Sequence, residues 1–377
     1  MSAHRVRVGI VGLQPGRNWA AVAHLPALRA LSDEFEIVGV ANSSRASAEA
    51  AASSCGIPRA FSDVAEMVAS PDVDLVVVTV RVPTHFNVVR AALEGGKHVF
   101  CEWPLGRTLE EAEVLAQLAR DRGVSAFTST QSRVTPAILH LKRLVDTGFV
   151  GEVLSTSVTG WGRIWGGTVD DLKSEQYLLE NANGATLLTI PFAHTIAALR
   201  DVLGDVSELS AMLDTRRRRV LATETGGFVP MDAPDQILIA GKLASGASLS
   251  MHYQGGAPRG FDGFVWDVHG TDGHLRMTGP TGHTQLVPLE LWGGRGEARV
   301  FEPIGVPDDG IALEDNVPGN IARVYRRLAS DLRQGTRTAP TFDDAVELHR
   351  LLDGVERAAR EGKRVSVQAP NRALPTV

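Results

Sequence analysis

The chain has 377 residues, of which 44% are hydrophobic and 22% charged, with a net charge of -6 and a pI near 6.0. This length exceeds the usual need of one compact domain, so two domains are expected, and the acidic balance argues against nucleic acid as a partner. Two cysteines, Cys55 and Cys101, are too few for a disulfide framework or a thiolate metal site. With no cleavable signal pattern and no apolar run of ~18 residues, we expect a cytoplasmic protein without a membrane partner.

The first 130 residues alternate between strand and helix signals. Apolar runs such as RVRVGIVGL, FEIVGVA, VDLVVVTV and HVFCEW are separated by helical stretches such as WAAVAHLPALRAL and THFNVVRAALEGG. Continuous apolar strands between amphipathic helices are typical of a parallel sheet covered on both faces. We predict an α/β fold class with a doubly wound (Rossmann) dinucleotide-binding domain at residues 1–130.

The stretch GIVGLQPGRNWA follows the first strand and opens a helix, where backbone amides can hold a pyrophosphate. Against the pattern G-x-G-x-x-G, Gly12 is the first glycine, whereas Gln14 and Arg17 occupy the second and third positions. The segment either holds the pyrophosphate farther out or is a strand-to-helix turn without a ligand. The residues predicted to bind the cofactor here are Gly12, Leu13, Gln14, Gly16 and Trp19.

The end of the second strand, VANSSRAS, carries no carboxylate to bind a ribose diol. It offers hydroxyl and guanidinium groups instead, which suit a 2'-phosphate and favour NADP over NAD. The alternative is that a serine caps the helix and the arginine is simply solvated. The predicted cofactor-binding residues of this segment are Asn42, Ser43, Ser44 and Arg45.

From residue 131 the pattern changes to longer alternating strands, including EVLSTSVTGWG, SELSAMLDTRRRRVLA and DQILIAGKLASGASLSMHYQG. We predict a C-terminal α+β domain at 131–377 with a large, mostly antiparallel sheet, a final helical pair and a frayed tail at 368–377. One sheet face should not be fully covered by the few helices, and such a face is usually buried between subunits. We therefore expect a homodimer or homotetramer.

The chain resembles the glucose-fructose oxidoreductase, inositol dehydrogenase and MocA (Gfo/Idh/MocA) family. The resemblance covers the glycine turn, EWP in place of Glu-Lys-Pro, DTGFVGEV, NGATLLTIPFAHTIAAL and the final GKRV. Within that family it is most similar to the branch of the fungal galactose-regulon repressors, which bind a dinucleotide and serve as sensors. The shared features are the VGL turn followed by Trp19, EW at the Glu-Lys position, and FAHTI.

The resemblance implies that Trp103 replaces the lysine that helps proton transfer with the substrate hydroxyl. An indole N–H cannot exchange a proton near neutral pH, and we expect its ring to stack on the nicotinamide or the sugar. Ile190 and Ala197 stand where the family carries aspartates, so His194 alone remains for acid-base chemistry. His194 is either that catalytic group or a buried core histidine, and Tyr177 is a second candidate proton donor.

The remaining candidates follow strand ends or a Gly-rich segment, GWGRIWGG, whose aromatic rings and guanidinium suit a sugar or polyol. We predict an NAD(P)-dependent oxidoreductase acting on such a small molecule, without a metal ion. The alternative is a non-catalytic, dinucleotide-binding sensor or regulator. The further predicted cofactor-binding residues are Val80, Arg81, His85, Glu102, Trp103 and Gln131; the predicted substrate residues are Arg133, Trp161, Arg163, Trp165, Tyr177 and His194.

Overall fold

The computed structural model describes residues 5–16, 18–257, 262–297, 300–314 and 316–367. The chain forms two compact units. The first contains Met1–Thr135, Ala182–Gly184 and Asp308–Val346, and the second contains Pro136–Asn181, Ala185–Pro307 and Glu347–Val377. Arg17, at the third glycine position, and the predicted tail at 368–377 lie outside the described residues.

In the described part of the first unit, a five-stranded sheet has the order β2-β1-β3-β4-β5, and its pairings are all parallel. All four residues of β3 are buried, as expected of a strand covered on both faces. The predicted doubly wound parallel sheet is therefore confirmed. The elements in chain order are β1 (Val6–Val11), a π-helical turn (Ala20–His24), α1 (Leu25–Ala30), β2 (Phe35–Ala41), α2 (Arg45–Cys55), α3 (Val64–Ala69), β3 (Leu75–Val78), α4 (Val82–Glu94), β4 (His98–Glu102), α5 (Leu109–Arg122), β5 (Ala126–Ser129) and a 3-10 turn (Gln131–Val134).

The second unit contains the predicted large sheet. Over its described residues this sheet has nine strands, in the order β16-β15-β14-β13-β6-β12-β11-β8-β17, and only β6 and β12 pair in parallel. The elements are α6 (Pro136–Asp146), β6 (Val153–Gly162), β7 (Thr168–Val169), α7 (Leu172–Glu175), α8 (Ala193–Leu203), β8 (Val206–Asp214), β9 (Arg219–Ala222), β10 (Gly227–Pro230), β11 (Gln236–Leu243), β12 (Ser248–Gly255), β13 (Phe264–Gly270), β14 (Gly273–Gly279), β15 (Glu290–Arg295) and β16 (Glu302–Ile304).

The stretch SELSAMLDTRRRRVLA, predicted to belong to the large sheet, is divided between two sheets. β8 ends at Asp214, and β9 belongs to a separate sheet with the order β10-β9-β7. The reason is Asp235, whose fully buried carboxylate accepts hydrogen bonds from the backbone N–H groups of Arg216 (2.8 Å) and Arg217 (2.9 Å). These bonds draw the chain away from the strand ladder, because the two amides no longer pair with a neighbouring strand.

The chain ends with α9 (Val317–Gln334), α10 (Phe342–Glu361) and β17 (Val365–Ser366). α9 belongs to the first unit, where the ring of Tyr325 packs edge-on against Phe35 (centroids 5.2 Å apart) and Phe100 (5.0 Å). A single boundary at residue 130 does not account for α9, which follows the second unit in the chain but belongs to the first. The helical stretch Asn181–Leu203 is long and apolar enough for a membrane span, but 72% of its apolar window is buried inside the protein, as in a core helix.

Candidate functional site

The glycine turn after β1 lies at the carboxyl edge of the parallel sheet. Gly12 has a φ of +101°, and a Cβ at this position would stand 2.9 Å from Val80 Cγ1 and 3.1 Å from Val80 N. Only glycine fits this close approach without strain. The backbone N–H of Gly12 also donates to Ala41 O (3.0 Å). The ends of β1, β2 and β3 thus meet at the place where doubly wound sheets bind ligands.

The rest of this turn differs from the glycine-rich pattern. Gln14 and Gly16 are exposed, Leu13 is buried, and Trp19 is half-buried. Asn18, which the sequence reasoning missed, donates from Nδ2 to Gly12 O and accepts at Oδ1 from Ala21 N (3.1 Å). Its side chain therefore closes the turn and starts the following helix.

At the end of β2 some side chains form hydrogen bonds with the backbone, and others are exposed to solvent. Asn42 donates to Leu13 O (2.8 Å), and Ser44 Oγ accepts from Ser47 N (3.3 Å) as the N-cap of α2. Ser44 therefore caps the helix, as the alternative interpretation of this segment predicts. Ser43 is exposed, and Arg45, with a 68% exposed side chain, bonds Glu49 Oε1 at 2.8 Å. Together with the tight glycine turn, these exposed groups fit a dinucleotide along this edge.

Glu102, at the end of β4, belongs to a buried hydrogen-bond network. His24 Nε2 lies 2.8 Å from Glu102 Oε1, and His24 Nδ1 lies 2.7 Å from the hydroxyl of Tyr325. Burial, and then the charge of Glu102, raises the pKa of Tyr325 well above its usual value, so the phenol keeps its proton. The consistent pattern is Tyr325 O–H donating to Nδ1 and Nε2–H donating to the carboxylate. His24 and Tyr325 thereby position Glu102.

The other side chains near this edge are largely engaged. His85 is buried with Nδ1 2.8 Å from Pro104 O and Nε2 2.9 Å from Val80 O, and burial lowers its pKa. A neutral ring donates from one nitrogen only, so His85 bonds one of these two carbonyls while its other nitrogen faces the second carbonyl. The Trp103 ring is only 5% exposed, whereas the expected stacking requires an open face. Arg81 is exposed.

Gln131 and Arg133 are held by residues of their own unit. Gln131 is buried, and its Oε1 accepts from Ser129 Oγ (2.9 Å). Arg133, half-buried, approaches Asp344 Oδ1 at 3.4 Å. Both side chains thus serve the packing of the first unit, and their assignment to cofactor and substrate stays a prediction.

His194 lies on α8 in the second unit and is 3% exposed. Its Nδ1 is buried and has no hydrogen-bond partner among the described residues. Burial, and secondarily the charge of His283, lowers the pKa of His194 to about 3. The imidazole therefore stays neutral across the physiological range, with an N–H on one ring nitrogen and a lone pair on the other.

Of the other predicted substrate residues, Trp165 is fully buried and donates from Nε1 to Leu178 O (2.9 Å). Trp161, on β6, is half-buried. Arg163 is exposed and approaches Glu175 Oε1 at 3.4 Å. Tyr177 is half-buried in a 3-10 turn (Gln176–Leu179). The structure thus gives Trp165 a structural hydrogen bond, while Arg163 remains accessible to a ligand.

The sequence reasoning missed the buried polar groups around α8. Thr195 Oγ1 lies 2.6 Å from the hydroxyl of Tyr253 and 3.2 Å from Thr284 Oγ1. His283 is 7% exposed, and burial, followed by the charge of Arg163, lowers its pKa to about 4. The signal was available in the polar run GHTQ at 282–285, which follows the alternating strand GHLRMTG.

Two family models match successive parts of the chain. The model described as "Oxidoreductase family, NAD-binding Rossmann fold" matches residues 6–130, and the model for the Gal80p C-terminal domain matches residues 136–279. The first match assigns NAD-type dinucleotide binding to the unit that carries the glycine turn. The second assigns a Gal80-like fold to the unit that carries His194.

The chain is similar over nearly its full length to a dehydrogenase and to a regulator. It is 30% identical to dehydrogenase aclE of Aspergillus oryzae, covering 96% of this chain and 98% of that protein. It is 29% identical to the galactose/lactose metabolism regulatory protein GAL80 of Saccharomyces cerevisiae, covering 97% and 95%. A crystal structure of a super-repressor mutant of Gal80p from the same yeast superposes with a TM-score of 0.88, at 28% identity over 97% and 98% of the two chains. The chain therefore belongs to the Gfo/Idh/MocA oxidoreductase family, with an NAD-binding Rossmann fold followed by a Gal80-like C-terminal domain.

Proposed function

We propose that the chain is an NAD(P)-dependent oxidoreductase that acts on a sugar, a polyol or a related small molecule. The observation that carries this proposal is the buried Nδ1 of His194, which lies within a polar cluster of the second unit and has no hydrogen-bond partner in the described part of the chain. A buried polar atom without a partner costs free energy, on the order of 1–3 kcal/mol. A ligand that supplies the missing hydrogen bond accounts for its presence.

The chemistry follows from the protonation state of His194. Oxidation of a secondary alcohol removes a hydride from carbon and a proton from oxygen, and the nicotinamide, when bound, accepts the hydride. Neutral His194 takes the hydroxyl proton and becomes imidazolium, and the C–O single bond becomes a carbonyl. In the reverse direction the imidazolium returns the proton to the oxygen. With a pKa of about 3 in the unliganded protein, His194 is a weak base near pH 7, and the imidazolium formed in the reaction releases its proton readily.

NADP as the preferred cofactor is part of the proposal. This part of the proposal is supported by Ser43 and Arg45, which are exposed just after β2, the strand end near which doubly wound sheets bind the adenosine ribose. The ion pair between Arg45 and Glu49 is exposed and therefore contributes little to stability, so Arg45 can bind a phosphate in place of Glu49.

A turnover screen tests the proposal. Full-length protein is mixed with NADP or NAD and a panel of sugars and polyols, and absorbance at the nicotinamide band reports turnover. We expect activity with at least one compound, and loss of most of it in His194→Ala. The matched control is His269→Ala, which removes an exposed histidine of the same unit. Native turnover in His194→Ala would exclude His194 as the base.

A second candidate function is a dinucleotide-binding regulator. It is favoured by Trp103 at the family's lysine position and by the similarity to GAL80 over 97% of the chain. Tight dinucleotide binding with no turnover across the panel would support this candidate instead. Trp103→Lys separates the two further: we expect looser cofactor binding without new activity, because the family's helix aspartates are replaced by Ile190 and Ala197.

Self-association completes the proposal. On one face of the large sheet, residues that pair across successive strands form a row that is exposed or half-buried. The adjacent row, whose side chains point to the other face, is almost entirely buried. We expect this face to form the contact in a homodimer or homotetramer, measured as the mass in solution by light scattering. A strictly monomeric mass at micromolar concentration would refute it. The accessible row is Met212, Leu238, His252, Thr159, Val265, Thr278 and Glu290.

A further inference from the structure

The segment PTGHTQ, residues 280–285, carries buried polar side chains that the proposed reaction does not use. It connects β14 and β15 in the second unit, and its last three residues, His283, Thr284 and Gln285, are all buried. Burying three polar side chains in succession is unfavourable unless each has a partner. The partners of these residues therefore indicate what the segment is built for.

Hydrogen bonds attach this segment to α8 beside His194. The Tyr253 hydroxyl donates to Gly282 O (3.1 Å) and lies 2.6 Å from Thr195 Oγ1, which in turn is 3.2 Å from Thr284 Oγ1. Thr195 follows His194 in the chain, and Gly282 and Thr284 flank His283. The network thus fixes the two histidines in one region of the unit.

The His283 ring is itself held in a defined orientation. It stacks on Trp165, with ring centroids 6.3 Å apart and planes inclined by 14°. Its Nδ1 lies 3.5 Å from Gln285 Nε2, an amide nitrogen that can only donate. Nδ1 is therefore the acceptor, and the neutral ring carries its hydrogen on Nε2. His283 presents a donor, whereas His194 Nδ1 lacks a partner among the residues that the structure describes.

We propose that His283 is a second ligand-binding imidazole of the C-terminal unit, and that with His194 it binds an uncharged polyhydroxylated molecule rather than a sugar acid. The proposal rests on the proposed function and names the substrate class of the same site. A hydroxyl group both donates and accepts, so neighbouring hydroxyls satisfy a ring N–H and a ring lone pair together. A carboxylate only accepts, so it can pair with the N–H of His283 but leaves the lone pair of a neutral ring without a donor.

The electrostatics of the two rings agree with an uncharged ligand. Their pKa values, about 3 for His194 and about 4 for His283, keep both rings neutral near pH 7. The charged group that acts on His283 is Arg163, which is exposed and shares its charge with Glu175 at 3.4 Å. The group that acts on His194 is His283 itself. Neither ring contributes a positive charge to hold an acid.

Calorimetric titration of the full-length protein tests this inference. The probes are D-glucose, D-galactose and myo-inositol against D-gluconate and D-galactonate, with saturating NADP. We expect at least one neutral probe to bind about tenfold more tightly than the acids, and His283→Leu to weaken it by about tenfold, the effect of one lost hydrogen bond. His283→Gln should restore part of the affinity, and His269→Leu, the control, should leave it unchanged.

Several outcomes would overturn the inference. Native sugar affinity in His283→Leu would exclude His283, and acids bound as tightly as neutral sugars would exclude the substrate class. Dinucleotide binding, measured separately, should be unchanged in all variants. If His283→Leu does not fold, the wild-type protein still tests the inference through its selectivity for neutral sugars over acids and through the pH dependence of binding. Its affinity for the neutral probe should fall as the pH approaches 4. Binding of no probe by wild type would refute the proposed function as well.

Discussion

The two buried histidines make the stability of the second unit depend on pH in a defined direction. Above pH 6.5 each histidine is neutral in both the folded and the unfolded chain, so it contributes no pH dependence. Below pH 6.5 the unfolded chain binds a proton that the folded chain does not, because the folded pKa values are about 3 for His194 and about 4 for His283. Acid therefore favours unfolding, and the effect levels off only below the folded pKa.

The magnitude follows from the two pKa differences. Between pH 7 and pH 5 each histidine should lower the free energy of unfolding by about 2 kcal/mol, since one pKa unit corresponds to about 1.4 kcal/mol. Replacing His283 by Gln removes one of these contributions. The variant should therefore lose about 2 kcal/mol less stability than wild type over this pH interval, whatever its stability at pH 7.

Urea unfolding at pH 7, 6 and 5, followed by circular dichroism, measures this difference. Comparing variant with wild type cancels the titration of the carboxylates and of the other histidines, whose environments are shared. His269→Gln, at an exposed position, controls for the substitution itself. If His283→Gln and wild type lose the same stability between pH 7 and pH 5, then His283 is not buried in its neutral form and the reasoning fails.

Three further changes have defined outcomes. Gly12→Ala places a Cβ 2.9 Å from a methyl group of Val80, at a φ of +101°. We expect this variant to lose about 1–3 kcal/mol of stability in urea unfolding and of cofactor affinity in titration. Gly16→Ala, whose Cβ would meet open space, should lose less of both. Arg45→Ala should weaken NADP by about 1.5–3 kcal/mol and spare NAD; equal losses for both would disprove the 2'-phosphate assignment. Tyr325→Phe leaves His24 Nδ1 buried without its donor and should lower stability by about 1–3 kcal/mol; an equally stable variant would show that the hydroxyl contributes nothing.

Local patterns were sufficient to predict the architecture but not the contacts between distant segments. The apolar run at β3 predicts a buried parallel strand because periodicity and burial are local properties. The end of β8 depends instead on Asp235, which lies about twenty residues later and captures two backbone amides. No local pattern could reveal that Asp235 is fully buried beside the arginines.

The candidate site shows the same limit. His194 was found because the family resemblance marks its position, and Gly12 because a strand-to-helix turn requires glycine. Glu102 was also identified, but its partners His24 and Tyr325 were not, since 301 positions separate those two residues in the chain. Spatial neighbours at such a separation become visible only in the folded chain.

The membership of Asp308–Val346 in the first unit bears on how the protein is synthesised. After β5 leaves the ribosome, roughly 190 more residues must be translated before α9 follows, which takes about 10 to 40 s at usual elongation rates. During that interval the aromatic surface of Phe35 and Phe100 and the ring of His24 lack their partner Tyr325. A recombinant fragment ending near residue 130 would leave this aromatic surface uncovered, and we expect it to be aggregation-prone.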